Sequence, residues 1–218
     1  MKLLQWAAAY FKSHDIDSPR ATAEILLSHA LAANRIDLYL HYDQPLNVDE
    51  LNRFKALIKR RIKREPVAYI LGHKEFWTLD LEVSPEVLIP RPETECLLER
   101  ALENLAAVTD SGRKHILELG TGSGAILLAL ASEKPRHAYW GTDISAGAIR
   151  LAQRNAICHG LAENMRFIVA DWFAPFAART DLFDLIVSNP PYIKTEDLEQ
   201  LRPEIKAFEP LVALDGSA

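Results

Sequence analysis

Three glycines within five residues, Gly120, Gly122 and Gly124, separate the apolar run Ile116-Leu117-Glu118-Leu119 from a second apolar stretch, Ala125 to Ser132. A short run that halts at glycines and resumes with helical spacing is a strand–loop–helix unit. From Glu93 onward such helix and strand patterns alternate, as parallel βαβ units require, so the chain is expected to be an α/β protein. Glycines also admit positive φ and let a ligand approach the backbone closely. The spacing departs from the dinucleotide fingerprint, which after Gly120 and Gly122 asks for glycine or alanine at 125. Ala125 satisfies it, whereas the extra Gly124 and Glu118 do not belong to it. A tight strand–helix turn would use the same glycines with no ligand at all.

Three further strand tips carry groups of the same kind. His137 to Thr142 reads as a strand that ends at Asp143, where a carboxylate can accept both hydroxyls of a ribose. Asp143 is equally suited to N-cap the helix that follows. Met165 to Ala170 ends at Asp171-Trp172, an acid and an aromatic that can border a purine, or a core aromatic in the plain reading. Phe183 to Ser188 ends at Asn189-Pro190-Pro191-Tyr192. Two prolines cannot continue a central strand, since neither donates to the ladder. They force a rigid turn at the carboxyl edge of the sheet, where open α/β folds bind ligands. Its amide side chain, backbone carbonyls and aromatic ring suit a planar nitrogen bearing hydrogens.

The glycine loop, the acid after the next strand and Asn189-Pro190-Pro191-Tyr192 resemble those of S-adenosylmethionine-dependent methyltransferases with a Rossmann-like domain. Two further strings narrow this: Glu65-Pro66-Val67-Ala68-Tyr69-Ile70-Leu71-Gly72 and Leu88-Ile89-Pro90-Arg91-Pro92-Glu93-Thr94-Glu95. With them the whole chain is similar to the peptide chain release factor glutamine methyltransferase family (PrmC/HemK). The resemblance implies S-adenosylmethionine as cofactor and class 1 release factors as partners, methylated on the glutamine of a Gly-Gly-Gln motif. It implies cofactor contacts from Gly120, Thr121, Gly122, Ser123, Gly124, Asp143, Asp171, Trp172 and Asn189. It implies substrate contacts from Asn189, Pro190, Pro191 and Tyr192, with Asn189, Pro190 and Tyr192 catalytic. Arg91 is added as a substrate contact at the cleft mouth, with a structural salt bridge as its other reading. No metal is called for.

The expected organisation is a small all-helical substrate-recognition domain over 1–72, a β-hairpin linker over 73–92 and a methyltransferase domain over 93–218. In the helical part, Ser18 and Pro19 read as N-cap and first-turn proline, and Asn47 with Glu50 as a capping box. The helix after Asn47 has an apolar stripe of Leu51, Phe54, Ile58 and Ile62. Its other face carries Arg53, Lys55, Lys59, Arg60, Arg61, Lys63 and Arg64. That face reads as solvated, or as a surface for an acidic partner or ribosomal RNA. The family's domain has seven strands and only four are legible before Asn189, so the chain, ending at Ser217-Ala218, is expected to be truncated at its C-terminus. Residues 193–218 supply one short helix, Glu196 to Leu201.

Charge decides between substrate classes. Residues 1–75 hold 12 Lys and Arg against 9 Asp and Glu, whereas the rest hold 13 against 21. An acidic catalytic half disfavours duplex DNA, whose phosphates need a basic surface. A nucleic-acid amino-methyltransferase is therefore the weaker alternative, and an inactive fragment that only binds a partner is the other. No apolar run approaches the length of a membrane span and no signal peptide is evident, so a cytoplasmic protein is expected. Cys96 and Cys158 fall on helix-like segments without metal spacing and read as free, buried thiols.

Overall fold

The computed structural model describes residues 2–40, 44–107, 112–176 and 182–217; the chain end at Ala218 lies outside them. The chain forms two compact units. One comprises Met1–Leu71 with Arg202–Phe208, the other Gly72–Leu201 with Glu209–Ala218.

The first unit contains helices α1 (Lys2–Ser13), α2 (Pro19–Leu31), α3 (Asp37–Leu40), α4 (Val48–Ile62) and α5 (Val67–Leu71). Phe11, Leu26, Leu27, Phe54 and Ile58 meet in its core. The capping box forms: the Asn47 side chain accepts from the Glu50 amide at 2.9 Å, and Glu50 accepts from the Asn47 amide at 2.9 Å. Ser18 corrects its expectation. It adopts a left-handed backbone (φ 46°), and its hydroxyl caps nothing, although Pro19 does open the helix. A cap needs an extended residue to aim its oxygen at the next amides.

The basic face of α4 is also corrected. Arg60 forks onto Glu65 at 2.8 and 2.6 Å, and Arg64 donates to the carbonyls of His14 and Asp15. Arg61 is buried and reaches Glu204 at 3.0 Å. These arginines hold the unit together; Arg53, Lys55, Lys59 and Lys63 are the exposed remainder. A second network centres on Glu24, 3% exposed, which accepts from Tyr39 at 2.5 Å, Arg35 at 2.6 Å and Arg20 at 2.9 Å. The Tyr39 hydroxyl and then the Arg35 guanidinium hold its carboxyl down at about 2.

The second unit opens with an antiparallel hairpin, β1 (His73–Phe76) and β2 (Leu79–Glu82), followed by α6 (Glu95–Ala107). Then come β3 (His115–Leu119), α7 (Ala125–Glu133), β4 (Ala138–Asp143), α8 (Ala146–Cys158), β5 (Met165–Val169) and β6 (Leu185–Ser188). The four later strands form a parallel sheet in the order β5-β4-β3-β6. The winding reverses between β3 and β6, which makes a crevice at their carboxyl ends. Helix α7 is apolar all round because it is buried all round, Ala125 through Ala131. Tyr139, fully buried, donates its hydroxyl toward the carbonyls of Leu130 and Lys134 and so closes the end of α7.

Two expectations change here. Cys96 and Cys158 are free but exposed. The stretch expected as a helix from Glu196 to Leu201 is a 3-10 turn, Thr195–Gln200. The helix in this region lies later, α9 (Pro203–Phe208). Pro203 explains both: it disfavours helical geometry at the residue before it and is well placed in a first turn.

Candidate active site

A cleft of about 410 Å³ lies over the carboxyl ends of the sheet strands, within the size range of small-molecule sites. Its floor is the glycine loop. Gly120 and Gly122 have φ of 70° and 54°, and no atom stands within 4 Å of where a Cβ would be. Backbone at both points is therefore open to close approach. Gly124 is glycine for packing as well: a Cβ there would stand 3.0 Å from Leu128 and 3.3 Å from Ala152.

Thr121 and Ser123 are buried within the loop, and their polar groups face inward. The Thr121 hydroxyl donates to Glu118 at 2.5 Å, and the Ser123 carbonyl accepts from Asn155 of α8 at 2.9 Å. Gly141 leaves the room for this, since a Cβ on it would lie 3.0 Å from the Thr121 hydroxyl and 2.9 Å from Phe167. Asn155 also exchanges hydrogen bonds with the backbone of Glu82, at 2.8 and 3.0 Å, so one amide fastens both the hairpin and the loop.

Asp143 ends β4 as expected, and its two oxygens are already engaged. One accepts from the Gly122 amide at 2.8 Å, the other from the Ser145 amide at 2.9 Å. Ser145, with its side chain accepting from Ala148, is the cap of α8, so Asp143 is not. Each carboxylate oxygen keeps a further lone pair for a ligand hydroxyl. Glu118 also borders the cleft and was not singled out from sequence as a site residue. It is 2% exposed. Burial pushes its carboxyl up to about 8, opposed by the Thr121 hydroxyl and the Leu127 amide and reinforced by Asp143. It is therefore mostly protonated at neutral pH. The signal was its place next to last in the strand that feeds the loop.

Asp171 and Trp172 border the cleft beyond β5. Trp172 is 46% exposed with φ 45°, which removes the core-aromatic reading. Asn189 and Pro191 line the cleft beyond β6, and Ser188 ties that strand end to the Leu119 carbonyl at 2.9 Å. Gly124, Pro190 and Tyr192 lie outside the lining, and Tyr192 is 77% exposed. The structure thus brings together Arg91, residues 120–123, Asp143, Asp171, Trp172, Asn189 and Pro191.

Sequence reasoning missed the part of the lining formed by Pro210, Val212, Ala213 and Asp215. This segment backs the Asn-Pro-Pro-Tyr turn. The Ile193 amide donates to the Leu214 carbonyl at 3.0 Å, and the Gly216 amide to the Ile193 carbonyl at 2.9 Å. A Cβ on Gly216 would stand 2.7 Å from the Pro191 carbonyl oxygen.

Among known proteins, a family described as PrmC N-terminal domain matches residues 2–72, and one described as methyltransferase domain matches residues 110–208. Release factor glutamine methyltransferase of Geobacter sulfurreducens is 44% identical over 217 residues, covering 100% of this chain and 73% of that protein. That of Chlorobaculum tepidum is 43% identical, covering 98% of this chain and 74% of its own. A solved structure, the hMettl16 catalytic domain in complex with MAT2A 3'UTR hairpin 6, superposes with a TM-score of 0.51 at 14% identity. It covers 73% of this chain and 57% of that one, and the likeness is one of fold.

Proposed function

This chain belongs to the release factor glutamine methyltransferase family, and we propose that it methylates the side-chain amide of the glutamine in the Gly-Gly-Gln motif of class 1 release factors. S-adenosylmethionine, when bound, supplies a methyl group on a sulfonium that leaves as a neutral thioether. The observation that carries the reading is that two features line one cleft: the glycine loop clamped by Asp143, and Asn189 at the tip of β6.

The loop and carboxylate fit an adenosine. Gly120 and Gly122 leave the backbone bare, and Asp143 has lone pairs to spare for ribose hydroxyls. Asp171 and Trp172 stand at the cleft edge, where an acceptor and an aromatic face suit a purine. On the substrate side the difficulty is electronic. An amide nitrogen is a poor nucleophile because its lone pair is delocalised into the carbonyl. The Asn189 side-chain oxygen, which belongs to a lining residue, accepts one hydrogen bond from the substrate NH₂, and the carbonyl of Pro190, outside the lining in this structure, accepts the other when substrate is seated. They orient the nitrogen and stabilise the positive charge that grows on it, which is electrostatic stabilisation of the transition state. Water then takes the released proton, so no dedicated base is needed.

Tyr192, solvent-facing here, reaches the amide plane only if substrate binding reorients it. No helix among the described residues is long and apolar enough to cross a membrane. The test is incubation with radiolabelled S-adenosylmethionine and a class 1 release factor, beside the same factor with Gln→Ala in its Gly-Gly-Gln motif. Label in the first and none in the second is expected; equal label in both, or none in either, refutes the reading.

A further inference from the structure

Glu209 does not itself line the cleft, but it is buried directly before Pro210, which does, and neither the loop chemistry nor the acceptor turn accounts for it. Its side chain is 1% exposed, and a buried carboxylate is tolerated only when paired and hydrogen-bonded. Arg91 donates to one oxygen at 2.6 Å, and the Ile89 amide donates to the other at 3.4 Å. Arg91 lies between Pro90 and Pro92, which have no amide hydrogens of their own to fix this stretch. The glutamate therefore supplies an anchor that the segment's own backbone cannot.

The two partners belong to separate chain segments, each of which contributes to the cleft lining. Arg91 lines the cleft together with Val87, Leu88 and Pro90, and Glu209 leads directly into Pro210, Val212 and Ala213. The run after Glu209 is short and internally bonded, Ala213 to Pro210 and Asp215 to Leu211. It ends in the contacts of Leu214 and Gly216 that back Pro191 and Ile193. An unbroken series of contacts thus joins Arg91, Glu209, residues 210–216 and the turn that presents Asn189.

We propose that Glu209 is a positioning residue: its ion pair with Arg91 fixes the segment 210–216 against the segment 87–91 and thereby sets the placement of Asn189. This rests on the reading of the cleft given above for its catalytic consequence but not for its structural one. The proposal also assigns Arg91 a different role from direct substrate contact, since its guanidinium is engaged in holding that segment.

Glu209→Gln keeps the shape, removes the charge and turns an amide donor toward Arg91 or Ile89. Hydrogen exchange resolved to single amides in the whole chain is the direct assay. Exchange at Ile193 and Gly216 should rise by about tenfold or more, while Thr121 and Gly122 stay unchanged. Binding of S-adenosylhomocysteine should stay within about threefold, and single-turnover transfer to a release factor should fall about tenfold or more. Arg91→Lys, which keeps the charge but loses the planar fork, should give the same pattern more weakly and serves if the first variant does not fold. Unchanged exchange at Ile193 and Gly216 in the variants overturns the proposal. So does an equal rise at Thr121 and Gly122, which would mark general loosening. If the unmutated chain transfers no methyl group, the proposed function fails by itself, and the exchange measurement still decides the role of Glu209.

Discussion

Asp143→Asn tests the cofactor side of the site with the least change of shape. In the structure the carboxylate accepts two backbone amides, Gly122 at 2.8 Å and Ser145 at 2.9 Å. Asparagine offers one acceptor and one donor, so one of those amides must face an NH₂ group. That leaves a backbone donor unsatisfied in a half-buried place, at a cost of about 1–2 kcal/mol. For a chain of this size, unfolding should move down by roughly 2–4 °C per kcal/mol. Alanine removes the side chain and lets water reach both amides, so Asp143→Asn should be no more stable than Asp143→Ala. The cofactor bears the larger effect. Two charge-assisted hydrogen bonds to ribose hydroxyls are worth roughly 1.5–3 kcal/mol each, and the lower value applies at a site open to water. A loss of about 3 kcal/mol weakens binding on the order of a hundredfold. Calorimetric titration with S-adenosylhomocysteine, beside a thermal melt of each variant, measures both. A dissociation constant within about twofold of the unmutated chain, with the melt shifted, would refute the ribose role and leave Asp143 as a clamp on the glycine loop.

The acceptor turn, Glu118 and Glu24 give three further expectations. Asn189→Ala should lower the single-turnover transfer rate on the order of a hundredfold, with a smaller effect on cofactor affinity, and Asn189→Asp should retain more activity than alanine; full rate in the alanine variant would discard the proposed acceptor role. Glu118 has its folded pKa raised from 4.5 to about 8, so its contribution to stability is fully present below about 4.5 and is lost as pH rises toward 8. Thermal melts of the ligand-free chain should therefore fall between pH 5 and pH 9, by at most roughly 5 kcal/mol, and Glu118→Gln should flatten that dependence. Glu24 has the opposite sign: lowered from 4.5 to about 2, it stabilises the helical unit above about 4.5, and that contribution disappears as pH falls toward 2. Glu24→Gln should cost up to roughly 3 kcal/mol at pH 7 and nearly nothing at pH 2, as denaturant titration at the two pH values will show.

Local chemistry was legible where it depends on neighbours in the chain. Asn47 and Glu50 cap α4 because the partners are three residues apart. The strands before Gly120, Asp143, Asp171 and Asn189 end where glycine, acid or proline interrupts an apolar run. Ser18 shows the limit of such reading, since a residue type suited to capping still needs a backbone angle that sequence does not fix.

What the sequence determined by itself was therefore the alternation of strands and helices from the glycine loop to Asn189, the parallel α/β class and the positions of the groups at the strand tips. Each follows from periodicity and from what glycine and proline permit. Only the tertiary structure decided which charges were free and which were spent. Arg61 is buried against Glu204, 143 residues away, and Arg91 is paired with the buried Glu209, 118 away. The same holds for ionisation: Glu118 looks like any acid in the chain until burial between β3 and the glycine loop raises its pKa. Tyr192 stands in solvent although its motif places it beside the site. Burial, pairing over long separations and side-chain direction are properties of packing, and packing brings together residues that the order of the chain keeps apart.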